Sequence, residues 1–231
     1  MPKKTNQTDQ LPLSLPVEVS IAREDLLQSP ANNLAVALID NWPDWPSHVV
    51  ILAGPIGSGK THMARVWAQT SNAKIVEMNA LAEVVPSFDD NQNIVIENAQ
   101  SGNIDENALF HCFNRAKANG SYLLITCREF PSAWQLQLPD LTSRLRTAHV
   151  VELQEPDDQL LFGILVKLFA DRQLQVEPSL IDYLVTRMER SLGAAGNIVK
   201  WLDNEALARH KKITRNMAAE ALVHFGMIES A

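Results

Sequence analysis

One stretch constrains the fold of this chain more than any other: the apolar run Val49-Val50-Ile51-Leu52-Ala53, followed at once by Gly54-Pro55-Ile56-Gly57-Ser58-Gly59-Lys60-Thr61. A short run with no polar side is what a strand covered on both faces requires, and such strands sit inside parallel sheets. The residues after it fit the pattern GxxxxGK[ST], and the segment 60–71 reads as a helix. Glycines at these positions let the backbone turn so that its N–H groups point at phosphate oxygens, and the helix N-terminus adds its positive end. Lys60 is placed to reach the β- and γ-phosphates, and the Thr61 hydroxyl to hold Mg²⁺. The expected nucleotide contacts are therefore Gly54, Pro55, Ile56, Gly57, Ser58, Gly59, Lys60, Thr61 and His62, with ADP or ATP and Mg²⁺ as ligands.

The alternation of strands and helices continues. Lys74 to Met78, Asn93 to Glu97, Tyr122 to Cys127 and Ala148 to Leu153 read as further strands, and Asp105 to Ala118 as a helix closed by Asn119-Gly120. Ahead of them, Leu34, Ala35, Leu38 and Ile39 give a helix that stops before Pro43, and Trp42-Pro43-Asp44-Trp45-Pro46 reads as a stiff connector. Repeated strand and helix units imply an α/β class with a parallel sheet and helices on both faces. Beyond Glu155-Pro156-Asp157-Asp158, which has the proline and acids of a helix start, only helices are expected, at 157–171, 179–190, 195–209 and 215–225. Residues 1–20 read as an extended tail, 21–154 as the α/β domain, and 155–231 as a small all-α domain.

Composition sets the outer limits. With 231 residues, 46% apolar and 20% charged, the chain is ordinary globular material. Its formal net charge of −7 argues against a protein that wraps duplex DNA by charge alone. That total conceals a segregation: 7 acids and no Lys or Arg from Glu77 to Asn114, against 7 basic residues and 3 acids from Arg187 to Arg215. Cys112 and Cys127 lack CxxC spacing, so no zinc site and a reducing compartment are expected. Polar residues follow Met1-Pro2-Lys3-Lys4 where a signal peptide has its apolar part, and the apolar segment Leu160 to Val166 is stopped by Lys167. A cytoplasmic protein without membrane contact is the expectation.

A phosphate loop of this kind works with a carboxylate at the end of a neighbouring buried strand, often followed by a second acid that orients the attacking water. Here those positions hold Glu97 and Asn98. Glu97 is a methylene longer than the usual Asp, so it serves Mg²⁺ only if the strand or its rotamer adjusts. Asn98 hydrogen-bonds water but has no useful basicity. Nucleotide binding with slow or partner-dependent hydrolysis is expected. Thr126, at the end of Leu123-Leu124-Ile125, offers a hydroxyl that would sense the γ-phosphate.

These features, together with Gln10-Leu11-Pro12-Leu13-Ser14-Leu15, Ser29-Pro30-Ala31-Asn32, Gly59-Lys60-Thr61-His62, Leu141-Thr142-Ser143-Arg144-Leu145 and the helical end, resemble AAA+ ATPases of the bacterial replication-initiator branch. Within that branch they are similar to the short regulators related to the initiator DnaA. The resemblance covers nearly the whole chain. The phosphate loop alone marks only a superfamily, and its combination with the tail and Ser143-Arg144-Leu145 is much more specific. It implies an AAA+ domain with an all-α lid. It implies that Gln10, Leu11, Leu13 and Leu15 dock on the DNA polymerase sliding clamp, as an extended peptide whose leucines enter apolar pockets. It implies that Arg144 is an arginine finger acting on nucleotide held by a neighbouring subunit, a device worth about 10³ to 10⁵ in rate. Arg146 is the alternative. The lid arginine usual in the family is missing: Gly193 takes its place, and Arg190 lies one turn earlier as a substitute. The implied function is negative regulation of replication initiation, in which the chain and the DNA-loaded clamp stimulate ATP hydrolysis by the initiator DnaA. DNA is then reached through the clamp. A single-strand-stimulated ATPase of the helicase-loader type is the alternative, and a homo-oligomer is compatible with either.

Overall fold

The computed structural model describes residue 23 and residues 26–89 and 91–229. The tail residues Gln10, Leu11, Leu13 and Leu15 lie outside the described residues.

Five strands, β1 (Val49–Ala53), β2 (Lys74–Glu77), β3 (Ile94–Ala99), β4 (Leu123–Cys127) and β5 (His149–Glu152), form a parallel sheet in the order β2-β3-β4-β1-β5. Helices α1 (Asn33–Asp40), α2 (Lys60–Ser71), α3 (Leu81–Val84), α4 (Glu106–Asn119) and α5 (Pro139–Leu145) surround it. The strand pleat sorts side chains between two layers. Val49, Ile51, Ile96 and Ile125 pack with Leu109 and Phe113 of α4 and Leu141 of α5. Val50, Leu52, Val95 and Leu124 pack with Ile39 of α1 and Met63 and Trp67 of α2. Burial on both sides is why β1, β4 and most of β3 are continuous apolar runs. The same period-two rule sets Glu97, two residues after Val95, and Thr126, two after Leu124, on the α2 side.

The tryptophan connector is packed as well as stiff. Trp45 stacks on the fully buried Trp67 with ring centroids 4.8 Å apart, and its indole N–H donates to the Leu38 carbonyl at 2.7 Å. The Tyr122 hydroxyl donates to the Pro43 carbonyl at 2.8 Å. Ser29 and Asn32 form a buried turn, and its Ala31 carbonyl accepts from the Gln154 N–H at 3.1 Å, tying the segment to the end of β5.

Helices α6 (Asp158–Asp171), α7 (Pro178–Val185), α8 (Leu192–Arg209) and α9 (Arg215–His224) build a separate core from Leu161, Phe169, Leu184, Ile198, Leu202 and Leu222 among others. Asp157, Ser191 and Thr214 cap α6, α8 and α9, each accepting a backbone N–H three residues on. No helix of the described residues is long and apolar enough to cross a membrane.

Several boundaries differ from the sequence reading. α8 begins at Leu192 rather than 195, because the Ser191 cap starts the helix ahead of Gly193. α7 ends at Val185 rather than 190, in a tight turn where Arg187 and Met188 both donate to the Leu184 carbonyl. β3 runs on to Ala99 through a register shift between Ile96 and Ala99. The short helices between Met78 and Ser87, and α5, fall in stretches to which the sequence reading assigned no element.

Candidate functional site

The phosphate loop links the end of β1 to α2. Gly59 caps α2 at φ 98, and Gly57, at φ 80, has its carbonyl 3.0 Å from the Leu192 N–H of α8. A Cβ on Gly57 would lie 2.2 Å from Ser191 Oγ, so loop and lid helix meet at a position only glycine fits. Lys60 Nζ donates to the carbonyls of Gly54 at 2.7 Å and Pro55 at 2.6 Å and to Ser58 Oγ at 3.3 Å. Burial pushes the Lys60 ammonium below its ordinary pKa; Cys127 opposes that and Arg128 adds to it.

The loop opens on a cleft of about 250 Å³. Ile56, Gly57, Gly59, Lys60, Thr61 and His62 form one wall, the strand-end residues Asn98, Cys127 and Arg128 a second, and Leu192 and Gly193 of α8 a third. Burial pushes the Cys127 thiol up to about 12, so it faces the cleft uncharged at neutral pH. Arg128 and Leu192 were not foreseen. The signal for Arg128 was available, since it directly follows Cys127, the last residue of β4.

Glu97 and Thr61 are brought together. Glu97 is only 5% exposed, and the Thr61 side chain lies near enough to favour its charged form. Its Oε1 is buried without a partner. Burial raises the Glu97 pKa, Thr61 and Arg65 pull it back, and Glu77 pushes it up again. Asn98 takes φ 60, and the β3–β4 register shifts here. A hydroxyl beside a buried carboxylate with an unpartnered oxygen is a hard-oxygen donor set that fits Mg²⁺.

Asn98 is held on three sides. Its N–H donates to Thr126 Oγ1 at 3.2 Å, its side-chain amide to Glu77 Oε2 at 2.9 Å, and its carbonyl accepts from Asn103 Nδ2 at 2.8 Å. Thr126 is itself buried and does not line the cleft; its oxygen fixes the bulge that carries Asn98. Arg190 is engaged elsewhere, donating to Asp158 Oδ1 at 2.6 Å and the Pro156 carbonyl at 3.2 Å, and it does not line the cleft either. Gly193 does.

Arg144 stands at the other end of the sheet. It lines a groove of about 680 Å³ with Ser47, His48 and Val49, which lead into β1, and Thr147, which precedes β5. The phosphate loop leaves the opposite end of β1, and a strand of 5 residues spans roughly 16 Å. The Arg144 guanidinium lies over the Phe110 ring at 4.9 Å and, among the described residues, forms no ion pair. Arg146, the C-cap of α5, does not line the groove.

Residues 50–125 match the family model described as "ATPase family associated with various cellular activities (AAA)". An uncharacterized protein of Haemophilus influenzae is 28% identical over 201 residues, 79% of this chain and 86% of that protein. The chromosomal replication initiator protein DnaA of Bacteroides thetaiotaomicron is 23% identical over 217 residues, 84% of this chain. The chain thus spans about half of that initiator, the match covering 46% of its length. Among solved structures, domain III of Thermotoga maritima DnaA superposes with a TM-score of 0.75 at 17% identity, over 89% of this chain and 96% of that one. AMPPCP-bound DnaA from Aquifex aeolicus gives 0.64 at 17% identity, over 82% of this chain and 69% of that one.

Proposed function

Starting from an AAA+ ATPase domain with DnaA-like homology, we propose that this chain is a nucleotide-holding negative regulator of replication initiation of the Hda type. It stimulates ATP hydrolysis by the initiator DnaA, together with the DNA-loaded sliding clamp. The observation that carries this reading is the separation of Arg144 from its own phosphate loop by the length of the sheet. A guanidinium so placed is out of reach of nucleotide on its own chain and available to nucleotide on a neighbour. Its fork suits phosphate oxygens and it is charged at every accessible pH.

The chain's own site is built to hold rather than to turn over. Lys60, the loop amides and the α2 N-terminus bind the phosphates. Thr61 and Glu97 would hold Mg²⁺, which would supply charge neutralisation to the phosphates. The position after Glu97 carries an amide already bonded to Glu77, so no base is supplied to a water. Thr126 accepts the Asn98 backbone N–H and so fixes the residue that carries that amide, and Gly193 brings no charge to the γ-phosphate. The tail residues Gln10, Leu11, Leu13 and Leu15 dock on the clamp and bring the chain to DNA.

Steady-state ATP turnover by DnaA, measured with clamp, primed DNA and this chain, tests the reading. Arg144→Ala is expected to lower the stimulated rate by about 10³ while the variant still binds nucleotide. Equal turnover would refute the finger. Replacing Gln10 and Leu11 by Ala is expected to abolish retention on immobilised clamp, and unchanged retention removes the tail from the scheme. Single-strand-stimulated turnover by this chain alone would replace the regulator with a loader-type ATPase.

A further inference from the structure

We propose that the face formed by α7 and the start of α9 binds the phosphate backbone of nucleic acid. At its centre is Tyr183, with the Arg187 guanidinium 4.3 Å and the Arg215 guanidinium 4.6 Å from its ring centroid. Lys211 and Lys212, in the loop that leads into α9, are exposed, as are both arginines. This proposal does not rest on the regulator reading, because it concerns neither nucleotide nor Arg144.

These four cations have no ion-pair partner among the described residues, a condition that Lys200 on α8 shares without lying beside the Tyr183 ring. Elsewhere in the helical region Lys167 pairs with Asp171, Arg172 with Asp203, Arg190 with Asp158, and Arg209 with Glu205 and Glu220. Among the described residues, Arg187, Lys211, Lys212 and Arg215 form no ion pair. The backbone adds to the charge. Arg215 is the first residue of α9, and the first turn of that helix holds no acid. A cation at the positive end of a helix is the reverse of the stabilising arrangement, so the local potential is uncompensated until an anion arrives.

The chemistry of the face selects among polyanions. Two guanidiniums already lie against Tyr183, so the ring has little left for stacking a base or seating an apolar side chain. The cluster has no large exposed apolar residue that would enter a membrane; the exposed Leu207 and Val223 are not part of it. What remains is a set of forked and point donors suited to the repeated oxygens of a phosphodiester backbone, read without regard to sequence. The net charge of −7 repels the same polyanion from the rest of the chain, which confines contact to this face and makes it sensitive to salt.

The test is fluorescence anisotropy of the full-length chain with labelled oligothymidylate and, separately, a labelled duplex, each titrated at several salt concentrations. Binding of either probe that weakens with salt is expected. Arg187→Ala combined with Arg215→Ala is expected to weaken it about tenfold and to flatten the salt slope by about two. Because removing both arginines from Tyr183 bears on α7–α9 packing, Lys211→Ala with Lys212→Ala is the second variant; these side chains are exposed, and it is expected to flatten the slope similarly. Three outcomes would overturn the proposal: no binding of either probe by the unaltered chain, binding retained in both variants, or release of the probe by polyglutamate as readily as by unlabelled DNA at equal charge.

Discussion

The two ends of the sheet are built on opposite plans. At the phosphate loop, most polar groups are engaged with one another: Lys60 with loop carbonyls, Asn98 with Glu77 and Thr126, Gly57 with Leu192, while Glu97 keeps one buried oxygen without a partner. At the start of the strands, Arg144 rests on an aromatic ring in an open groove with no phosphate-binding element beside it. The first end is a cross-linked network around a small cleft, and the second places a charge in a groove of its own. The difference teaches that, under the proposed reading, holding nucleotide and acting on a neighbour's nucleotide fall to different ends of the sheet, and substitutions should separate them.

The largest separation is expected from Arg144→Ala, with stimulated DnaA turnover lost by about 10³ and this chain's own nucleotide affinity unchanged by calorimetry. Lys60→Ala should do the reverse at its own end, costing about 100-fold in nucleotide affinity and erasing the thermal shift that nucleotide confers. If Lys60→Ala left affinity intact, the contrast between the ends would collapse. Gly57→Ala should sharpen it. Its Cβ collides with Ser191, so the lid helix must withdraw, and nucleotide affinity is expected to fall about tenfold with the sheet intact by circular dichroism.

The smallest effect expected is in stability. Burial raises the Glu97 pKa, so between the ordinary carboxylate value and the raised one the folded chain binds a proton that the unfolded chain has released. Stability in the absence of Mg²⁺ therefore falls as pH rises through that window. Glu97→Gln should flatten this dependence, raise the Tm above the window by about 2–4 °C, and remove the further rise that Mg²⁺ gives the nucleotide complex. A Tm equally pH-dependent in the variant would exclude Glu97 as the source.

How far the sequence could be read follows from how many residues repeat the same physical demand. Val49 to Ala53 states burial on both faces at every position, and the loop glycines state a tight turn, so β1, the turn and α2 were legible, whereas Arg128 and Leu192 on the other walls of the cleft were not. α5 was not, because it has 7 residues and buries only Leu141 and Leu145, too short a stretch for periodicity to emerge. The bulge at Glu97 and Asn98 was not legible, because a positive φ at a single asparagine leaves no periodic signal. The start of α8 was masked by Gly193, which reads as a helix breaker although the Ser191 cap starts the helix before it. The position of Arg144 relative to its own loop could not be had from spacing at all, since it depends on which end of the sheet α5 leaves open.

One contact extends beyond the cleft. α8 is 18 residues long, about 27 Å, and its near end is hydrogen-bonded to Gly57 while its far end leads to His210, Lys211 and Lys212. A rod pinned at one end to the phosphate loop is a pointer: a displacement of the loop too small to alter the sheet becomes a larger sweep at the tip. The posture of the helical region would then follow the position of the loop, and a small movement at Gly57 would be displayed at the far end of α8.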